Sequence, residues 1–247
     1  MIYYNLKSTQ GFTMVGQVFP EVVWRIDLFG ITVPIADTVV TTWGIILLLA
    51  LFSLLLSRRL SLWHPSGVQL FAERVVLAIE RSVEGAVAIP ARTLAPLIGT
   101  MWIFIGTMNL VSVVPYLHNP TRDLGTTAAL ALIAFFAIHY YGIRYAGLRR
   151  YLRHYVRPSV LLLPFNIFSD LSRIFAMAIR LFGNMLSWEL IIAILIALVG
   201  FLVPVPIMLL SIVGDLLHAY LFGLLTYIFI IGGIEAEQTT LQENHHG

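Results

Sequence analysis

FAMAIRLFGNMLSWELI, residues 175–191, is apolar except for Arg180, Asn184, Ser187 and Glu189, and it lies inside a much longer hydrophobic segment. An arginine keeps its positive charge in a protein. At the centre of a membrane helix that charge costs at least ~3 kcal/mol. We therefore expect Arg180 to face a group that needs a permanent positive charge, and the identity of that group determines the function.

The composition indicates a polytopic membrane protein. Hydrophobic residues make up 59% of the 247 and charged residues 11%, whereas about a quarter of a soluble domain is charged. The mean hydropathy is +0.88. The chain has no cysteine, which excludes a disulfide framework and a thiol nucleophile. We expect no metal site and no cofactor. We also expect no nucleic-acid partner, because the basic residues are typical of loops at one membrane face.

Five apolar runs are long enough to cross a hydrocarbon core of ~30 Å. The predicted spans are residues 38–56, 93–115, 126–147, 165–199 and 204–234. The last two are ~52 and ~42 Å long as helices, which exceeds the core thickness. They are therefore predicted to form a long, strongly tilted C-terminal helical hairpin. The fold class that follows is an all-α polytopic membrane protein.

The remaining segments are predicted to lie at the membrane surfaces. Residues 66–88 have the spacing of an amphipathic interfacial helix. Its apolar stripe consists of Val68, Phe71, Val75, Ile79, Val83 and Ala86, and its polar stripe of Gln69, Glu73, Glu80 and Glu84. Residues 1–37 are interpreted as an extracytoplasmic N-terminal segment, 38–247 as a single membrane domain, and 235–247 as a polar, frayed cytoplasmic tail.

The distribution of arginines predicts the orientation. Arginines are concentrated in the loops after the first and third spans, whereas the loop between the second and third spans holds only Arg122, beside Asp123. Cytoplasmic loops carry the excess of positive residues. The N-terminus is therefore expected outside and the C-terminus in the cytoplasm.

Polar residues on the hairpin fall into groups that share helix faces. Arg180 shares a face with Asn184, at a spacing of four positions. Glu189 lies nine positions beyond Arg180, about half a turn round and ~13 Å along the axis, so it is not an intrahelical partner. Ser211, Asp215 and His218 share one face of the returning helix.

The predicted orientation separates these groups into two halves of the membrane. Glu189, Asp215 and His218 are expected toward the outside, and Asp170, Arg173 and Glu235 toward the cytoplasm. Carboxylates and imidazole can pass protons or coordinate a small cation. The pattern is typical of an ion path interrupted by one fixed positive charge.

Structural roles remain open for several of these residues. Asp215 and His218 are also compatible with a buried pair that holds two helices together, and Glu189 with an interfacial acid. Asn184 is as compatible with an interhelical hydrogen bond as with an ion path. A purely structural Arg180 is disfavoured, because no acid in this chain is well placed to neutralise it.

The motif RLFGNM, residues 180–185, followed by Glu189, resembles the signature of subunit a of F-type ATP synthases. Supporting matches are MNLVSVVP at 108–115, NPT at 119–121, PFN at 164–166 and HAYLFGLLTYIF at 218–229. The resemblance extends from about residue 66 to 233. It is specific because the six-residue core lies in a long apolar helix.

The resemblance implies a membrane stator that lies against a rotating c-subunit ring and translocates protons or sodium ions through two offset half-channels. Coupling would be to ATP synthesis or hydrolysis, and this chain would make no bonds itself. Arg180 matches the family's essential arginine, Asn184 a polar neighbour, and Glu189 a position in the outside-facing half-channel. The implied partners are the c-ring, peripheral-stalk b subunits, other ATP synthase subunits and the lipid of a bacterial-type inner (plasma) membrane.

The sequence departs from the family pattern on the last helix. Much of the family has Gln where this chain has His218, and some members have a His or an acid where this chain has Ser211. The titratable pair is shifted to Asp215 and His218, which leaves open which residue accepts the ion. An autonomous channel or secondary transporter is the alternative, but it predicts a repeat or interrupted half-helices that the sequence does not show.

Overall fold

A computed structural model describes residues 22–28, 31–84, 90–111, 119–148, 151, 163–200 and 202–243. Its helices are α1 (Asp37–Arg58), α2 (Gly67–Val83), α3 (Ala91–Leu110), α4 (Leu124–Ala146), α5 (Leu163–Val199) and α6 (Pro204–Glu243). Within these described ranges, five helices are long and apolar enough to cross a membrane, namely all except α2. The prediction of an all-α membrane protein with five spans and one amphipathic helix is confirmed. Residues 85–88 and 112–115 of the predicted elements lie outside the described residues.

A small β-hairpin precedes the membrane helices and was not predicted. Strands β1 (Val22–Leu28) and β2 (Ile31–Ala36) pair antiparallel. Pro34 argues against a strand in a central position, but a two-stranded sheet consists of edges, where proline is tolerated. Strand β2 runs directly into α1, which begins at Asp37.

Helices α5 and α6 form the long C-terminal hairpin. They contain 37 and 40 residues, or ~55 and ~60 Å. Helix α5 ends at Gly200, whose φ of +86° is readily adopted by glycine and whose N–H donates to the Ile196 carbonyl at 3.1 Å. Helix α6 continues beyond residue 234 to Glu243, so most of the predicted frayed tail is helical.

Helix α2 buries a different face from the one that its hydrophobic pattern predicts. Gln69, assigned to the polar stripe, is buried, whereas Val68 and Phe71 are 54% and 70% exposed. The Gln69 carboxamide accepts from the Ser61 N–H at 3.0 Å and donates to the Ser61 carbonyl at 3.1 Å. These hydrogen bonds satisfy the buried carboxamide of Gln69. They also hold the α1–α2 connection against α2. Ile79 and Val83 are buried as predicted.

Helices α3 and α6 form the centre of the bundle. Gly223 of α6 lies against the indole of Trp102, which donates to the Tyr220 carbonyl at 2.9 Å. The main apolar core joins five helices and consists of Ile45, Met101, Ile105, Met108, Leu130, Ala131, Ala134, Met177, Ala178, Leu181, Ala219 and Phe222. This core fixes α5 against α6 and so positions the polar residues of the hairpin.

Candidate functional site

Arg180 lies on the exposed face of α5. Its neighbours Met177 and Leu181 turn into the core and are 4% and 2% exposed, whereas Arg180 itself is exposed. Among the residues that the structure describes, no Asp or Glu forms an ion pair with it. Arg180 thus has no counter-charge from the part of the chain that the structure describes.

Most of the large exposed side chains near Arg180 on α5 are apolar. Ile179 beside it is 43% exposed, and Ile191 and Ile194, further along the same face, are 44% and 55% exposed. A bare arginine on such a surface is unfavourable in contact with lipid. This face is therefore suited to a partner that brings a negative charge, rather than to the hydrocarbon.

His218 approaches Arg180 from the neighbouring helix. Both residues line one small cavity with Phe222 and Leu225. The Nδ1 of His218 is 2.7 Å from the Gly214 carbonyl oxygen, which can only accept, so Nδ1 carries a proton in this contact. In the neutral imidazole this leaves Nε2 as a hydrogen-bond acceptor.

Asp215 lies one turn before His218 but does not pair with it in the structure. The residue is 4% exposed, and its Oδ1 is buried without a hydrogen-bond partner among the described residues. Its backbone carbonyl accepts from Asn109 Nδ2 at 2.9 Å. A buried, unpartnered carboxylate oxygen is costly, and it is suited to a proton, an ion or water.

Ser211 and Asn184 complete the predicted polar positions near the middle of the hairpin. Ser211 is 8% exposed, and its hydroxyl donates to the Met208 carbonyl at 2.9 Å within its own helix. Asn184 is half-buried, and its Nδ2 has no partner among the described residues. The Asn184 Nδ2 atom is therefore a buried donor that the described part of the chain leaves unsatisfied.

Glu189 forms an ion pair that the sequence analysis did not identify. Its Oε2 lies 3.4 Å from Nη1 of Arg122, whose Nη2 lies 3.2 Å from Oδ2 of Asp37. The Arg122 side chain is 1% exposed, against 24% for Glu189 and 21% for Asp37. The structure thus pairs Glu189, a predicted site residue, with an arginine that the sequence analysis overlooked.

The turn that carries Arg122 is held by buried hydrogen bonds. The backbone N–H of Thr121 donates to Asn119 Oδ1 at 2.9 Å, and its hydroxyl lies 2.8 Å from Asn109 Oδ1. Asn119 Nδ2 donates to the Met185 sulfur at 3.2 Å. All four residues are at most 2% exposed. The NPT motif therefore ties the turn to both α3 and α5.

A second group of polar residues lies near the other end of the hairpin. Asp170 and Arg173 form an ion pair at 3.6 Å, and the Arg173 guanidinium stacks 4.5 Å from the centre of the Phe229 ring. Both residues line a cavity of about 400 Å³ between α4, α5 and α6. Glu235 lies on α6, but its side chain is outside the described residues. No cluster of three or more potential metal ligands occurs among the residues that the structure describes.

Comparison with known proteins places this arrangement in a family. Residues 39–231 match the family described as "ATP synthase A chain". The chain is 50% identical over 206 residues to "ATP synthase subunit a 1" of Hahella chejuensis, covering 83% of this chain and 86% of that protein. It is 46% identical over 202 residues to "ATP synthase subunit a 2" of Pelobacter propionicus, covering 82% and 88%. It is 40% identical over 209 residues to "ATP synthase subunit a" of Legionella pneumophila (strain Corby), covering 85% and 91%.

Proposed function

Since the chain belongs to the ATP synthase A chain family, whose role is proton translocation in the membrane sector, we propose that it is the stator of a rotary ion path. It lies against a rotating ring of c-subunits and offers two offset half-channels, one open to each side of the membrane. Ion flow through them is coupled to ATP synthesis or hydrolysis. The chain supplies positioned charges and no bond chemistry.

The exposed, unneutralised Arg180 is the observation that carries this proposal. A fixed cation on an apolar face attracts a carboxylate brought by a moving partner, and it repels cations from a continuous path along the stator. Because a guanidinium does not lose its proton, Arg180 cannot relay protons itself. It acts as the barrier between the two half-channels.

The outer half-channel is assigned to Glu189, Asp215 and His218, with Ser211 and Asn184 as polar neighbours. This assignment is supported by contacts: Glu189 is linked to the Pro120–Arg122 turn through Arg122, and Asp215 is linked to it through Asn109. His218 shares a cavity with Arg180. The unpartnered oxygen of Asp215 makes it the preferred acceptor of the ion.

The cytoplasmic half-channel is assigned to the cavity of about 400 Å³ that Asp170 and Arg173 line. Glu235 is assigned to its cytoplasmic end, because it follows the last apolar residues of α6. This cavity is large enough for water and lies two turns from Arg180 along α5.

The proposed setting is a bacterial plasma membrane, with the N-terminus outside and the C-terminus in the cytoplasm. The arginine-rich loops support this orientation, and the bacterial relatives support this membrane. The partners are the c-ring, the peripheral-stalk b subunits and the other subunits of the enzyme. The exposed apolar side chains of α1 and α5 supply surface for lipid and for these partners.

The test is Arg180→Ala in the complete ATP synthase, reconstituted into vesicles. We expect loss of ATP-driven ion pumping with an unchanged amount of assembled complex. Arg144→Ala is the matched control, since Arg144 is an exposed arginine on α4 outside both half-channels, and it should pump normally. Unchanged coupled pumping in Arg180→Ala refutes the proposal.

A further inference from the structure

The turn at Pro120–Arg122 lies between α3 and α4, yet it is buried more deeply than most of the membrane helices. Pro120, Thr121 and Arg122 are all buried, with Thr121 and Arg122 at 0% and 2% exposure. Connections usually run over the surface, because their backbone polar groups need partners. This turn is instead enclosed by α1, α3, α4 and α5, and α5 carries Glu189 of the proposed outer half-channel.

One side of the turn fixes α5. Arg122 holds the Glu189 carboxylate at 3.4 Å, and Asn119 donates to the sulfur of Met185, one turn earlier on the same helix. Two contacts spaced one turn apart fix both the axial position and the rotation of that part of α5. They also set where the Glu189 side chain projects.

The other side of the turn fixes α6. The Thr121 hydroxyl lies 2.8 Å from Asn109 Oδ1, and Asn109 Nδ2 donates to the backbone carbonyl of Asp215 at 2.9 Å. Contacts with one short turn therefore position both acidic residues of the outer path. Glu189 is held through a side-chain ion pair, and Asp215 is held through its backbone carbonyl.

We propose that Arg122 is a positioning residue of the outer half-channel, whose guanidinium holds the Glu189 carboxylate in register with Asp215 so that ions pass between the two. This inference rests on the proposed function, because it concerns the same half-channel. Arg122 is distinct from Arg180, since it is buried, paired and remote from the exposed face of α5. It acts through Glu189 and does not itself receive the ion.

The chemistry of the arginine side chain suits this role. Its two terminal nitrogens contact two different carboxylates, Nη1 that of Glu189 and Nη2 that of Asp37. A planar fork holds both at fixed angles, which a single ammonium group does not. Without the guanidinium, two neighbouring carboxylates lose the charge between them and repel each other. Glu189 would then leave the position in which Arg122 holds it.

The experiment measures passive ion conduction through the reconstituted membrane sector, together with ATP-driven pumping by the complete enzyme. In Arg122→Gln we expect conduction to fall about 10–100-fold, the scale of a misplacement near 1 Å. In Glu189→Gln the path is already impaired, so adding Arg122→Gln should slow it no further. A merely structural role predicts instead that the two effects multiply. Conduction at the wild-type rate in Arg122→Gln, or multiplied effects in the double variant, overturns the inference.

Glu189→Asp is the second variant, in case the buried arginine is needed for folding. It keeps the negative charge and leaves Arg122 paired with Asp37, but the shorter side chain withdraws the carboxylate from its position. We expect slowed conduction with a normal amount of assembled complex, and wild-type conduction overturns the inference. Arg144→Gln, at an exposed arginine of α4 outside both half-channels, is the control and should conduct within about twofold of the wild type.

Arg180→Ala in the same preparations separates the two proposals. If Arg180→Ala abolishes pumping while Arg122→Gln and Glu189→Asp conduct normally, only the role of Arg122 fails. If Arg180→Ala pumps normally, the proposed function itself fails.

Discussion

Gly223 on α6 provides a quantitative test of the central helix contact. A β-carbon at this position overlaps the indole of Trp102 on α3, whose Nε1 donates to the Tyr220 carbonyl at 2.9 Å. In Gly223→Ala the indole must move, which costs about 1–3 kcal/mol for overpacking and about 1 kcal/mol for the weakened hydrogen bond. The higher helix propensity of alanine, compared with glycine, offsets about 1 kcal/mol of this cost. The net expected loss is therefore about 1–3 kcal/mol.

The assay compares the apparent Tm of purified variants in detergent at one scan rate, since membrane proteins often unfold irreversibly. Each kcal/mol corresponds to about 2–4 °C in a chain of this size. Gly232→Ala is the matched control on the same helix, because nothing lies within 4 Å of its added β-carbon. It should keep or raise the Tm. Trp102→Phe should recover part of the loss in the Gly223→Ala background, because the smaller ring leaves room for the methyl group. Equal Tm values for Gly223→Ala and Gly232→Ala would refute the reasoning.

Three further substitutions test the polar contacts. Thr121→Val removes a hydroxyl that lies between two buried amide oxygens, and it should lower the stability measured by thermal unfolding by about 1–3 kcal/mol. Thr100→Val, at an exposed position of α3, is the control and should change stability by less than about 0.5 kcal/mol. Equal effects of the two variants would contradict the burial argument. Gln69→Leu removes the hydrogen bonds to the Ser61 backbone and should speed tryptic cleavage at the arginines that end α1. Unchanged cleavage would contradict the inference that Gln69 holds the α1–α2 connection against α2. Asp215→Asn keeps the shape of the side chain but not its acidity, so pumping should fall by about 100-fold or more with assembly intact. Normal pumping in that variant would exclude Asp215 from the ion path.

Hydropathy and helical periodicity predicted the membrane helices, because burial in lipid demands long apolar runs whatever the tertiary packing. Gly200 and Pro204 likewise marked the turn of the hairpin. The β-hairpin was missed, since its strands are short and Pro34 argued against them. The prediction of the buried face of α2 was partly wrong. Gln69 was assigned to the exposed face because it is polar, but the backbone groups of Ser61 satisfy its hydrogen bonds.

The candidate site was predicted only where one helix determines it. Spacing placed Arg180 and Asn184 together, and Asp215 near His218, but it gave no information on contacts between helices. Arg122 was counted as a loop charge that helps to set orientation, although it is the partner of Glu189, 67 positions away. The signal for its burial was its position directly after the NPT motif, because a buried turn also buries the next side chain.

The enclosed turn also has a consequence for how the protein is made. Spans enter the membrane in chain order, so α3, the turn and α4 are synthesised before α5 and α6. Until the last two helices dock, the Asn109 amide lacks the Asp215 carbonyl, Asn119 lacks the Met185 sulfur and Arg122 lacks Glu189. An early truncated chain would leave these polar groups without the partners that they have in the folded subunit, at a cost of about 1–3 kcal/mol for each group that stays buried. Completion of the turn thus distinguishes a finished subunit from a partly inserted one.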